Sequence, residues 1–215
     1  IARDLHDEIG STLSSVSLYS SVAQKKVAAH APEANDLLGR ISESTTQVLE
    51  SINDIVWAVN ADNDDMDHLV KRMHDYAVRM AETRGCALRF DHDPALAAIR
   101  LDMSGRKNLY LLFKEAVNNA IKYSACRELR VALKRESSDV ILRIEDNGKG
   151  FDPKVAPGKA GGGNGLPNMH KRANELGAAL RIASVIGQGT TVELRFAPGR
   201  TKSLNAMTDR RYRAE

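Results

Sequence analysis

Lys114-Glu115-Ala116-Val117-Asn118-Asn119-Ala120-Ile121-Lys122 sets a carboxylate, an amide and an ammonium at offsets of four and three residues. On a helix those offsets bring Glu115, Asn119 and Lys122 to adjoining faces. Asp146-Asn147-Gly148-Lys149-Gly150 follows an apolar alternation, so a carboxylate and two glycines stand at a strand end. Seven of the 15 glycines fall between Gly148 and Gly165. Glycine weakens regular structure, so this density suits a loop that moves or a backbone that must approach a ligand closely. No GxxxxGKS or GxxxxGKT run occurs, which excludes a P-loop. Nor do the glycines join a strand to a helix inside a parallel βαβ unit, which excludes a dinucleotide fingerprint. A last glycine turn, Gly187-Gln188-Gly189, runs into Thr190-Thr191. Each run alone reads as an ordinary solvated surface; their order along one chain does not.

The elements that must hold these residues follow from hydrophobic spacing. Leu5, Ile9, Leu13, Val16, Tyr19, Ala23 and Val27 advance in mixed steps of three and four, as do Leu38, Ile41, Thr45, Val48, Ile52, Ile55 and Val59. Both stripes predict helices that pack against helices. Ala31-Pro32-Glu33 breaks the first and opens the second, since proline is tolerated in a first helical turn. Two helices on a tight turn make an antiparallel hairpin, and a hairpin with stripes this long is expected to pair with a second copy as a four-helix bundle. Asn60 to Asp67 carries four Asp and reads as a linker. A helix through Leu69, Val70, Met73, Tyr76, Ala77 and Met80 should end near Gly85, followed by a strand over 86–91 and an amphipathic helix over 109–123. Leu129, Val131 and Leu133, then Val140, Leu142 and Ile144, alternate with polar neighbours and predict two strands around Ser137-Ser138-Asp139. A helix over 166–176 and two strands around Gly187-Gln188-Gly189 complete an α+β fold. The expected domains are a hairpin over 1–60, a linker over 61–67, a second unit over 68–197 and a tail over 198–215.

Composition narrows the class. The chain is 42% hydrophobic and 27% charged, too apolar for disorder. No run reaches the ~18 to 20 apolar residues of a membrane span. The net charge of +3 resides in the tail, where five bases face two acids. Residues 1–60 hold four bases against eight acids, and residues 61–197 hold 22 against 18. This distribution leaves no nucleic-acid footprint. Cys86 and Cys126 lack metal-ligand spacing and are expected to be reduced and structural. The chain opens at Ile1 and is expected to be part of a longer protein.

DNGKG, GNGLPNMHKR and GQGTTV resemble the nucleotide-binding boxes of the superfamily that includes sensor histidine kinases, gyrase, a class of heat-shock chaperones and mismatch-repair ATPases. LHDEIGSTLSSV resembles the phosphoacceptor helix of the histidine kinases in which Asp follows the acceptor His. The resemblance covers about residues 1–197 and implies the dimerisation and catalytic core of a bacterial two-component sensor histidine kinase. It implies the α/β sandwich of the GHKL (Bergerat) ATPase type for the second unit.

By the same resemblance His6 is the phosphoacceptor, with Asp7 beside it to orient the imidazole or take its proton. Asp146 receives the adenine amino group, and Gly148 and Gly150 let the backbone close on base and sugar. Asn119 binds Mg²⁺, Glu115 is the acidic partner one turn earlier, and Lys122, with Arg172 as a further candidate, meets phosphate. Gly163, Gly165 and Leu166 end a lid over 149–164 and open a helix whose amides favour phosphate. Thr190 and Thr191 shape the pocket. The cofactors implied are ATP and Mg²⁺, and the partners are a second copy and the receiver domain of a response regulator. An upstream sensor segment, membrane-anchored, would leave this chain on the cytoplasmic side. The alternatives are a GHKL-type ATPase or a nucleotide-binding scaffold without phosphotransfer. One departure stands out: relatives with phosphatase activity often have Gln five positions after the acceptor His, and here Ser11 takes that place.

Overall fold

The computed structural model describes residues 2–27, 31–59, 65–152 and 165–198. It divides into two compact units, residues 1–61 and 62–215.

The first unit is two long helices, α1 (Ala2–Val27) and α2 (Pro32–Val59), packed as an antiparallel hairpin. Pro32 opens α2, where its missing N–H costs nothing. Ser17 Oγ lies 3.4 Å from Ser42 Oγ, and Gln24 Nε2 reaches the Asn35 carbonyl at 3.5 Å, which fixes the antiparallel register. Leu13, Ala23, Leu38, Leu49 and Ile52 are half-buried in the hairpin. Among the described side chains of this unit, Ser20, Thr45 and Asp54 are the buried ones, while Ile9, Val16, Tyr19, Ile41 and Val48 of the predicted stripes are exposed.

The second unit begins with α3 (Met66–Glu82), and here the expected linker is too long. Asp65 caps α3 by accepting from the His68 amide at 2.8 Å, and Met66 is buried in the core. The acid-rich run therefore gives its last residues to the helix, because an Asp at the N-cap satisfies an orphan amide. After α3 come β1 (Ala87–His92), a short 3-10 turn (Pro94–Ala98) and α4 (Met103–Tyr123). β2 (Glu128–Glu136), β3 (Asp139–Asp146), α5 (Gly165–Leu176), β4 (Ala179–Val185) and β5 (Gly189–Phe196) complete the unit. The sheet order is β1-β2-β3-β5-β4, with β1 parallel to β2 and the other pairs antiparallel.

Strand alternation divides the sheet into two faces. Leu129, Val131, Leu133, Leu142, Ile144, Val192 and Leu194 are buried, on the face that α3, α4 and α5 cover. Tyr76 of α3 meets Tyr110 and Phe113 of α4 edge-on, at 6.5 and 6.2 Å between ring centres. The opposite face is wet and charged: Arg130 pairs with Glu128, Arg143 with Glu145, and Arg195 with Glu136 and Asp139. A mixed sheet with one helical layer and one solvated face is thus an α+β two-layer sandwich, as the spacing predicts.

Candidate functional site

Helix α4 is the spine of the site. Asp102 caps its start by accepting from the Gly105 amide at 2.6 Å. Leu109, Leu112, Phe113, Ala116, Val117 and Ala120 are buried, which leaves Glu115 and Asn119 half-exposed one turn apart and Lys122 exposed beyond them. The first residue of α5, Gly165, lies against the Glu115 carboxylate, and a Cβ there would overlap it and come within 3.5 Å of Asn119 Nδ2. Residues 46 to 50 positions apart in sequence are thereby gathered at one place, with the amide end of α5 facing the carboxylate and the amide of α4.

At its other end α4 stops at Ser124, whose hydroxyl donates to the Ala120 carbonyl at 2.6 Å. Ser124 is about 7.5 Å beyond Asn119 along the helix axis, at 1.5 Å per residue. Its carbonyl accepts from the Lys149 amide at 2.7 Å, and a Cβ on Gly148 would collide with it. Asp146 ends β3 beside this contact. Its Oδ1 accepts from the Gly148 amide at 2.9 Å. Burial pushes the Asp146 carboxyl above its ordinary range, against the pull of the Gly148 amide, the Ser124 hydroxyl and the Thr190 backbone. A half-buried carboxylate has about four lone-pair sites on its two oxygens, so these contacts leave it acceptor capacity for a ligand donor.

The glycine turn before β5 closes the wall. Gly189 has φ +89° and presses on the Asp146 carbonyl so closely that a Cβ would overlap it. Gly150, at φ +59°, packs on Val185 in the same way. Both positions need glycine for conformation and for room. Ser184 of β4, which sequence reasoning did not single out, ties the parts together: its hydroxyl accepts from the Phe151 amide at 2.9 Å, donates to the Gly189 carbonyl at 3.1 Å and sits 2.9 Å from Thr190 Oγ1. Asn147 was also missed. Its Oδ1 accepts from the amides of Arg127 and Glu128, both at 2.9 Å, and so anchors the entry to β2.

The structure thus gathers Glu115, Asn119 and Gly165 at one end, and Asp146, Gly148, Gly150 and Thr190 at the other. Leu166, half-buried, follows Gly165 on α5. Thr191 is not brought in. Thr190 pairs with Asp146 on the helix-covered side, so alternation turns Thr191 to the charged face opposite Glu145. His6 and Asp7 lie in the first turns of α1, in the other unit; their side chains, like that of Ser11, lie outside the described residues. So do Gly163, most of the expected lid and the tail from residue 199.

Comparison with known proteins matches this division. Residues 1–64 match a family model described as histidine kinase. Residues 104–200 match one described as histidine kinase-, DNA gyrase B-, and HSP90-like ATPase. The signal transduction histidine-protein kinase/phosphatase DegS of Bacillus subtilis is 41% identical over 87 residues, 40% of this chain and 23% of DegS. The sensor protein VraS of Staphylococcus saprophyticus is 24% identical over 209 residues, 96% of this chain. The chain spans 56% of VraS, about half the length of that relative. Among solved structures, the histidine kinase domain of the Erythrobacter litoralis EL346 blue-light activated histidine kinase matches with TM-score 0.61 at 16% identity, over 92% of this chain and 96% of that one. Full-length ShkA in complex with AMPPNP matches with TM-score 0.57 at 18% identity, over 87% of this chain and 46% of ShkA. Two family models in tandem, on the two units the structure separates, place the chain in the histidine kinase family.

Proposed function

We propose that the second unit binds ATP and that its γ-phosphoryl is transferred to His6, and from there to an Asp of a response regulator. The observation that carries this reading is the arrangement along α4: the half-buried acceptor Asp146 at its end, with Asn119 about one and a half turns back, Glu115 about two and a half, and the start of α5 against both. Asp146 accepts a hydrogen bond from the adenine amino group, a contact that guanine's carbonyl cannot make with an acceptor-only side chain. Gly148 and Gly150 bring backbone to the base and sugar, and Thr190 supports Asp146 from β5. The amides of Gly165 and Leu166 at the start of α5 face the phosphates, where the helix N-terminus favours negative charge. Gly163 is assigned to the phosphate contacts by the resemblance alone, and Lys122 adds a cation at the rim of the pocket. ShkA, a relative in fold, was solved with AMPPNP.

The donor set suits Mg²⁺, which takes oxygen ligands, few of them from protein when phosphate is present. Among the described residues no group of three or more His, Cys, Asp or Glu gathers into a cage of its own. Asn119 and Glu115 would hold the ion, which when bound neutralises phosphate charge. Transfer itself breaks the bond between the γ-phosphorus and the bridging oxygen and forms a P–N bond on the imidazole, with ADP leaving. Asp7 positions the ring and takes its proton.

The exposed seam of the hairpin is covered by a second copy of the chain, and the response regulator docks near His6. No helix among the described residues is long and apolar enough to cross a membrane. The anchored sensor segment is assigned to the remainder of the longer protein, with this chain on the cytoplasmic side.

Incubation with γ-labelled ATP and Mg²⁺ should give an acid-labile, base-stable phosphoprotein, and His6→Gln should abolish the label. Label that persists in His6→Gln overturns the acceptor assignment. Free phosphate without labelled protein would point instead to an ATPase.

A further inference from the structure

Two thiols stand beside the pocket without a part in the chemistry above. Cys86 precedes β1 and Cys126 precedes β2, and β1 and β2 are neighbouring parallel strands whose register pairs Ala87 with Glu128. The Ala87 amide donates to the Arg127 carbonyl at 2.8 Å, so the two strand entrances are clamped side by side. The sulfurs are 3.3 Å apart and both cysteines are free. A disulfide bond is about 2.05 Å long, so the pair closes by a movement of roughly 1.2 Å.

What Cys126 touches makes that movement consequential. Its amide donates to Ser124 Oγ at 3.1 Å, and its thiol points at the Ala120 carbonyl at 3.7 Å. Between Ser124 and Cys126 lies Ala125, held at φ +54°, a conformation a β-carbon disfavours. Ser124 is also the residue whose carbonyl takes the Lys149 amide and against which Gly148 packs. The segment 124–126 is therefore a short, strained strap between the thiol pair and the Asp146 end of the pocket.

We infer that Cys86 and Cys126 form a redox pair, closing a reversible disulfide between the starts of β1 and β2 that weakens nucleotide binding through the Ser124 strap. The coupling rests on the reading of the Asp146 pocket as the adenine site; the disulfide itself does not.

The two sulfurs differ in reach. Cys126 is half-exposed and meets an oxidant such as hydrogen peroxide first. Cys86 is buried, and burial together with the neighbouring Cys126 pushes its thiol up to about 12, so it stays protonated until it resolves. The Cys126 thiolate attacks peroxide, breaking the O–O bond to give Cys126 sulfenic acid and hydroxide. Cys86 sulfur then attacks the sulfenic sulfur, forming the S–S bond. The hydroxyl leaves with the Cys86 proton as water. Two electrons have passed from the thiols to peroxide, and a dithiol returns them by exchange.

The test uses the full chain, first reduced and then treated with hydrogen peroxide. Intact mass should fall by two hydrogens, with a peptide linking Cys86 and Cys126 that dithiothreitol releases. In Cys86→Ser, dimedone should trap sulfenic acid on Cys126, whereas Cys126→Ser should give neither adduct nor cross-link. Titration calorimetry with ATP should show affinity two- to tenfold lower after oxidation, the worth of about one hydrogen bond. Dithiothreitol should restore it, and Cys86→Ser should not respond. Absence of the linked peptide overturns the pair. A linked peptide with unmoved ATP affinity overturns the coupling. No ATP binding by the reduced chain removes the pocket reading and the coupling with it, while the mass shift would still establish the disulfide.

Discussion

The two units bury opposite kinds of side chain. In the second, Leu69, Met73, Leu109, Phe113, Leu129, Leu133 and Leu142 are at most 1% exposed, sealed between three helices and the sheet. In the hairpin the buried described side chains are Ser20, Thr45 and Asp54, while Leu37, Ile41 and Val48 stand 57%, 45% and 46% exposed. Those three lie four and seven residues apart and so share one stripe of α2. A unit that encloses its own apolar residues is complete as one copy. A hairpin that turns them outward obtains most of its hydrophobic stabilisation only when a partner covers the stripe. On the proposed reading the ATP-binding chemistry falls on the self-sufficient unit, and the acceptor on the one that needs a partner.

The sharpest way to break this contrast is Ile41→Glu. Burying two carboxylates, one per copy, in a paired seam costs several kcal/mol per ion. The chain should then sediment as a monomer with its ATP affinity unchanged. A dimer would mean that the exposed stripe is not the seam.

Asp146→Asn should act on the other unit alone. The substitution keeps an acceptor for the Gly148 amide but removes the charge that favours the adenine amino group. Hydrogen bonds to charged groups are worth about 1.5 to 3 kcal/mol, so ATP affinity should fall on the order of ten- to a hundredfold. Stability should move the opposite way. The carboxyl of Asp146 titrates above its ordinary value in the folded protein, so between the two values the folded state binds more protons. Stability is therefore lost as pH rises through that window, and the uncharged variant should melt slightly higher than the parent at pH 7, with a flatter profile as pH rises from the ordinary carboxylate range. A lower melting temperature would mean that the carboxylate stabilises the fold.

The smallest effect is expected at Lys122. It is exposed, and a solvated ion pair is worth about 0.2 to 1 kcal/mol, so Lys122→Ala should weaken ATP by no more than about fivefold. A larger loss in titration would place the ammonium inside the pocket.

Much of this was legible because glycine spacing and hydrophobic period are local signals. Gly148 and Gly150 were marked by density and by their place at a strand end, Gly189 by the last glycine turn, and the structure supplies the reason: each backbone is pressed against another where a Cβ has no room. The extent of α4 was not legible. It begins at Met103, not near Leu109, because Gly105, Arg106 and Asn108 are buried polar or small residues that leave no apolar stripe. Met66 was hidden in the acid-rich run for the same reason. Ser124, Ser184 and Asn147 reach partners 19 to 33 positions away, and their residue types alone say nothing of it. Thr191 was misplaced because register decides which of two adjacent threonines faces the helices. The Cys86–Cys126 neighbourhood depends on a parallel pairing of β1 and β2 that no local pattern announces.

The central claim is that one unit binds the nucleotide and the other accepts its phosphoryl group. Its most direct test is to measure, on His6→Gln and Asp146→Asn in parallel, both ATP affinity by calorimetry and label incorporated from γ-labelled ATP with Mg²⁺. The account predicts that His6→Gln binds ATP as the parent does yet takes up no label, whereas Asp146→Asn loses both. Loss of ATP affinity in His6→Gln, or full labelling of Asp146→Asn, would contradict it.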